Sequence, residues 1–230
     1  MKNPFAPAPA APRTLRVLAR LLSYPDEALR AHAADMAQAL AGEGALAVAR
    51  RGELELLLAR LARRPALAVE AEFVELFDRG RSTSLHLFEH VHGDSRDRGP
   101  AMIDLIRTYE QAGLLLREDE LPDHLSVLLE YASTQPPAQA RELLAETAHI
   151  LRALFSALLK KGSPYASVLA AVLELAGERA EPVAVPEDEP LDQTWEEPPV
   201  FDGCSTAGQA RPGAAQAVRF VRSATQGVQP

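Results

Sequence analysis

The sequence predicts an all-α protein: a single helical bundle with a disordered N-terminal arm and a disordered C-terminal tail. Three observations carry that prediction. Aromatic residues make up 5% of the 230-residue chain and apolar residues 47%, with alanine and leucine dominant, a balance that favours helices over strands. Apolar residues recur every three or four positions through most of the chain. Prolines and glycines fall between those runs rather than inside them, and no alternating β pattern or 20–50-residue repeat accompanies them.

The first dozen residues are rich in Pro and Ala and are expected to form an unstructured arm. The helical domain is then expected over about residues 13–180. Leu15, Leu18 and Leu22 share one face of a helix that stops at Ser23-Tyr24-Pro25. Pro25 suits a first helical position, and Asp26 and Glu27 suit the positive end of the helix dipole. Leu29, Met36 and Leu40 continue one helical face until Gly42 and Gly44. Leu54, Leu57, Leu58 and Leu61 define the next helix, closed by Arg63-Arg64-Pro65, and Ala66 to Phe77 the one after it.

Residues 79–99 form the one polar interruption. Pro100 opens a helix carrying Met102, Ile103, Leu105, Ile106 and Tyr109, with Gly113 as a left-handed stop. Pro122 opens a short helix with Leu125, Leu128 and Leu129. A long helix is predicted from Pro136-Pro137 through Leu144, Leu151 and Leu158 to Lys160-Lys161-Gly162, cations and then a glycine at its negative end. Ser163 and Pro164 start the last helix, whose inner face holds Val168, Leu169, Val172 and Leu173.

From Glu181 the composition changes. The last fifty residues hold seven Pro, four Gly, and three Arg against eight Asp or Glu, so they carry −5 of the chain's net −8. Such a segment buries too little apolar surface to offset its ordering entropy and is expected to be disordered. Trp195, Val200 and Phe201 form one apolar island within it, suited to docking on another surface.

The negative charge and the lack of a basic face argue against a nucleic-acid partner. A single cysteine, Cys204, excludes an internal disulfide and a thiolate-rich metal site. The start, MKNPFAPAPAAPR, lacks an apolar run of signal-peptide length, and no stretch approaches the ~18–20 apolar residues of a membrane span. A soluble cytoplasmic protein with no cofactor or metal is the expectation.

His86-Leu-Phe-Glu-His90 formally matches the inverted zinc-protease pattern, in which two histidines one helical turn apart hold zinc beside a Glu general base. Three fixed positions in five arise easily, and no second motif supplies a third ligand, so capping or partner contact is the stronger reading. Ser82 and Ser84 lack a nucleophile elbow, and the loop from Gly93 to Gly99 lacks the Walker lysine and preceding strand. A polar, histidine-rich loop between apolar helices instead suits a partner-binding surface beside an interhelical groove. A generic helical adaptor and a zinc metalloenzyme are the alternatives that the residues leave open.

The run from Phe73 through Arg79, His86, Glu89, His90, Arg96 and Arg98 to Gly99, followed by Ala101-Met102, resembles the signature of NarJ-type nitrate reductase assembly chaperones. Glu120-Leu-Pro-Asp-His-Leu125, with Leu128-Leu-Glu-Tyr131, resembles the second signature of that family, and Leu21-Leu-Ser-Tyr-Pro25 fits its opening. Ser126 stands where many relatives have proline. The resemblance covers about residues 14–178. It implies an all-helical chaperone, not an enzyme, that binds the N-terminal segment of the reductase's catalytic subunit. It further implies that the chaperone holds this subunit open to molybdenum cofactor insertion and delays membrane docking. Arg79, His86, Glu89, His90, Arg96, Arg98, Asp123, His124, Glu130 and Tyr131 are the residues it nominates for client binding.

Overall fold

The computed structural model describes residues 10–91, 96–118 and 120–185. Among them the secondary structure is helical throughout: eleven α-helices, one 3₁₀ turn and an isolated antiparallel bridge between His86 and His124. In chain order the helices are α1 (Pro12–Leu21), α2 (Glu27–Ala31), α3 (Ala33–Glu43), α4 (Val48–Arg63) and α5 (Ala66–Phe77). After the 3₁₀ turn (Arg81–Thr83) come α6 (Leu87–Val91), α7 (Arg98–Gln111), α8 (Leu125–Thr134), α9 (Pro137–Glu146), α10 (Ala148–Lys160) and α11 (Ala166–Ala176).

The buried core follows the predicted apolar faces. Leu15, Leu18 and Leu22 on and just after α1, Leu54, Leu57, Leu58 and Leu61 on α4, and Leu125, Leu128 and Leu129 on α8 are all buried. Helix α11 is central: Val168 through Leu173, Leu175 and Ala176 are buried on every side, and α4, α9, α10 and α1 pack around it. Helix α1 lies mainly against α8 and α3. Each fully buried leucine contributes roughly 1.5–3 kcal/mol of transfer free energy, so this shared core is the main source of stability.

Four helix ends are closed where glycine alone is comfortable: Gly44, Gly113, Gly162 and Gly177 all have positive φ, between 63° and 82°. The first helix is started differently. No side chain of its own caps α1; the Glu43 carboxylate, 30 residues away at the end of α3, accepts from the Arg13 and Thr14 amides at 3.0 and 2.6 Å.

Several predicted helix starts need correction: α7 opens at Arg98, ahead of Pro100; α8 opens at Leu125 with His124 as its N-cap, past Pro122; and α11 opens at Ala166, past Ser163 and Pro164. Three further differences have a local cause. Pro25 does not enter a helix: Asp26 is the N-cap of α2, accepting from the Leu29 amide at 2.8 Å, while Arg20 pairs with the same carboxylate and holds its pKa low. The helix expected through Leu29, Met36 and Leu40 breaks at His32, whose ψ of 11° leaves the α region. The long helix expected from Pro136 breaks at Thr147, with ψ of 0°; its hydroxyl bonds the Leu144 carbonyl and competes with the helical ladder. Apolar periodicity runs through both kinks because the faces on either side still point inward.

Helix α7 differs from its neighbours. Of its apolar residues only Tyr109 is buried; Ile103 is 51% exposed, and Met102, Leu105 and Ile106 are half-buried. It lies along the outside of the bundle and is tethered at its ends.

Candidate functional site: a two-motif clamp beside an acidic groove

The two sequence motifs meet at Asp123. Its side chain is fully buried, and its hydrogen-bond and ion-pair partners His86, Phe88 and Arg98 come from the first motif. The backbone registers first: Leu87 N–H donates to the Asp123 carbonyl at 3.0 Å, and Leu125 N–H to the Leu85 carbonyl at 2.9 Å. The carboxylate then accepts from the Phe88 amide at 3.2 Å and from His86 Nδ1 at 3.3 Å, and Arg98 stands 3.7 Å away. Burial alone would raise the Asp123 pKa, but the His86 hydrogen bond and charge, the Phe88 amide and Arg98 outweigh it and hold the carboxyl low. The same hydrogen bond raises the His86 pKa.

Further contacts close the clamp. Ser84 Oγ donates to Glu89 at 2.5 Å, Glu89 faces Arg98 at 3.6 Å, and His90 Nε2 bonds the Ser84 carbonyl at 2.8 Å. His124 caps α8, its Nδ1 accepting from the Ser126 amide at 3.3 Å, and its ring meets His86 edge-on at 5.0 Å. Burial, with cationic His86 nearby, pushes the His124 pKa down to about 4, so it caps as the neutral ring. The pKa shifts of His86 and His124 therefore run in opposite directions across one bridge.

This geometry bears on the zinc pattern. His86 lies outside α6, in the bridged extended segment, and its Nδ1 is engaged by Asp123, while His90 is engaged by a carbonyl. Among the described residues no group of three His, Cys, Asp or Glu is placed to hold a metal ion.

Not all nominated residues join the clamp. Arg79 pairs with Glu75 at the exposed end of α5, 3.0 Å apart, and Arg96 is exposed in the turn before α7. Glu130 and Tyr131 lie on α8, at a groove of ≈ 380 Å³. Its floor and walls are Tyr109, Leu114, Leu115, Val127 and Tyr131, and its polar rim is Glu120, Glu130 and Arg16. The two tyrosine rings are 4.9 Å apart. Tyr109 donates to the Pro122 carbonyl at 2.8 Å, so the residue beside Asp123 also anchors the groove's floor. Partial desolvation, with Glu120 next to it, raises the Glu130 carboxyl. Leu115 is 87% exposed at the mouth.

Sequence reasoning did not nominate Ser84, Tyr109, Glu120, Arg16 or the 114–116 segment. Tyr109 reads as an ordinary inward residue on α7, and residues 114–121 have no periodicity from which a wall could be inferred. Trp195, Val200, Phe201 and Cys204 lie outside the described residues.

Comparison with known proteins gives this geometry a context. The nitrate reductase delta subunit family matches residues 23–171, spanning both motifs and every groove residue except Arg16. The nitrate reductase molybdenum cofactor assembly chaperone NarJ of Escherichia coli K12 is 41% identical over 93% of this chain and 98% of its own. A second protein of that strain, named a probable assembly chaperone NarW, is also 41% identical, over 80% of each chain. Among solved structures, a candidate redox enzyme maturation protein from Archaeoglobus fulgidus superposes with a TM-score of 0.52 over 77% of this chain and all of its own, at 21% identity, which speaks for the fold alone. These relatives are named as assembly chaperones rather than catalysts. With a family match over most of its length and two full-domain relatives at that identity, the chain belongs to the nitrate reductase delta subunit family, as a NarJ-type molybdenum cofactor assembly chaperone.

Proposed function

We propose that this protein binds the immature catalytic subunit of a respiratory nitrate reductase through that subunit's N-terminal segment, in the groove between α7 and α8. It thereby keeps the subunit competent for molybdenum cofactor insertion and delays membrane docking. The observation that carries this reading is the groove itself: tyrosines and leucines for an apolar stripe, with Glu120 and Glu130 on the rim for basic residues. An amphipathic segment with cations flanking its apolar face matches both features. Among the described residues no helix is long and apolar enough to cross a membrane. The proposed setting is the cytoplasm, where such a client would be met before docking.

In this reading the nominated residues divide. Glu130 and Tyr131 touch the client. His86, Glu89, His90, Arg98, Asp123 and His124 shape the groove by holding α6 and α7 in register with α8, and Arg79 and Arg96 offer peripheral charge. Titration calorimetry of the full chain with the N-terminal peptide of the reductase catalytic subunit tests it. Tyr131→Ala should weaken binding at least tenfold with an unchanged melt, since the ring is only half-buried. Absence of heat with the native peptide, or equal affinity for Tyr131→Ala, would overturn the proposal.

A further inference from the structure

Helix α1 brings the start of the described chain to the groove between α7 and α8. Ala10, Ala11 and Pro12 line a hollow of ≈ 140 Å³ that shares Ser133 with that groove. One turn into α1, Arg16 lines the groove itself and donates through Nε to Ser133 Oγ at 3.2 Å. Residues 1–9, with the sequence MKNPFAPAP, precede Ala10 and lie outside the described residues. They hold one cation, Lys2, one aromatic, Phe5, and no carboxylate. The groove offers the complement: the ring of Tyr131, the exposed Leu115, and a rim with two carboxylates to one guanidinium. Desolvation and Glu120 raise the Glu130 carboxyl even against Arg16, Arg117 and Arg20, so the rim is not neutralised from within.

We propose that this N-terminal arm docks in the same groove, Phe5 on its apolar wall and Lys2 toward Glu120 and Glu130, and competes there with the client. The proposal rests on the reading of the groove given above and adds its regulation. Reach allows it. From Ala10, Phe5 is five residues away and Lys2 eight, spans of roughly 17 and 27 Å for an extended chain. The groove runs along α8 from Thr134 to Val127, roughly 10 Å. Pro4, Pro7 and Pro9 fix φ at three of the nine positions, which lowers the entropy lost on docking. Tethering supplies an effective concentration on the order of millimolar, so a weak contact is enough to compete. The apolar island at Trp195, Val200 and Phe201 is the poorer occupant, because it carries Glu196 and Glu197, the wrong sign for this rim.

Two measurements on the full chain test this. In the first, the photoreactive residue benzoylphenylalanine is introduced at position 5, the chain is irradiated, and cross-linked peptides are mapped by mass spectrometry. Cross-links within one chain to groove residues such as Leu115, Val127 and Tyr131 are expected, and saturating reductase N-terminal peptide should suppress them. No cross-link, cross-links only to other surfaces, or a cross-linked dimer would each overturn the proposal. In the second, the same reductase peptide is titrated by calorimetry into the native chain and into a variant carrying Lys2→Glu and Phe5→Ser. Removing the internal competitor should tighten binding by about threefold or more, with an unchanged melt. Equal or weaker affinity in the variant would overturn the competition. If neither chain gives heat, the client reading falls. Groove cross-links formed without peptide would then still uphold the docking of the arm, and their absence would overturn it.

Discussion

At the residue scale, Asp123 sets the behaviour of the clamp. A buried carboxylate with two hydrogen-bond donors and an ion pair is costly to neutralise, because removing its charge leaves His86 and Arg98 facing an uncharged group. Asp123→Asn should cost about 3 kcal/mol in urea unfolding, and an unchanged midpoint would mean the clamp is peripheral. The two histidines make a second prediction. The His86 pKa is raised in the fold, so its contribution is complete below about pH 6.5 and fades as pH climbs through the folded value. His124 falls to about 4, so its contribution is present above about pH 6.5 and is lost on acidification toward 4, on the order of 3 kcal/mol. Stability should therefore peak near pH 6.5 and fall on both sides. His124→Asn keeps a capping oxygen without a titrating ring, and should flatten the acid limb in urea melts taken between pH 4.5 and 6.5. Sequence alone flagged these side chains by type, for capping or for partner contact. That Asp123 is fully buried depends on a pairing 37 residues apart, which no local pattern records.

At the element scale, α7 is the exception in a bundle whose other long helices bury a full face. It is held at one end by Arg98 against Asp123 and Glu89, and at the other by Tyr109 against Pro122. Tyr109→Phe removes one buried hydrogen bond and should cost about 1 kcal/mol globally. It should also raise amide exchange along α7 well above that of α8. Equal exchange protection in α7 and α8 of this variant would show that α7 is pinned by its middle instead. Gly80 is a second element-level constraint: a Cβ there would stand 2.6 Å from the Thr83 hydroxyl that braces the loop onto Leu76. Gly80→Ala should cost about 1–3 kcal/mol in thermal melts; Gly80 has an ordinary φ of −106°, so the clash alone carries the loss, and an unchanged melt would show that the Thr83 hydroxyl gives way freely. The helices themselves were legible because leucine spacing and proline or glycine stops act locally. The breaks at His32 and Thr147 were not, since each keeps the apolar face aligned and is visible only as a change in backbone angle.

At the scale of the whole molecule, the bundle is organised around α11, the last helix among the described residues, and truncating Leu169 there should cost about 2–5 kcal/mol. A measured cost below 1 kcal/mol would show that the core repacks around it. The fold class was readable because a helical core needs only periodicity; the full lining of the groove was not, because it brings Arg16 of α1 beside residues 109–134. The borrowed cap of α1 has a temporal consequence. Of the described helices this one leaves the ribosome first, yet its opening amides wait for Glu43, and its Arg16 side chain waits for Ser133, 117 residues later. Vectorial synthesis at roughly 5–20 residues per second thus leaves the N-terminal helix without its partners for several seconds after it emerges. Among the described helices, the earliest made is thus among the last to be finished.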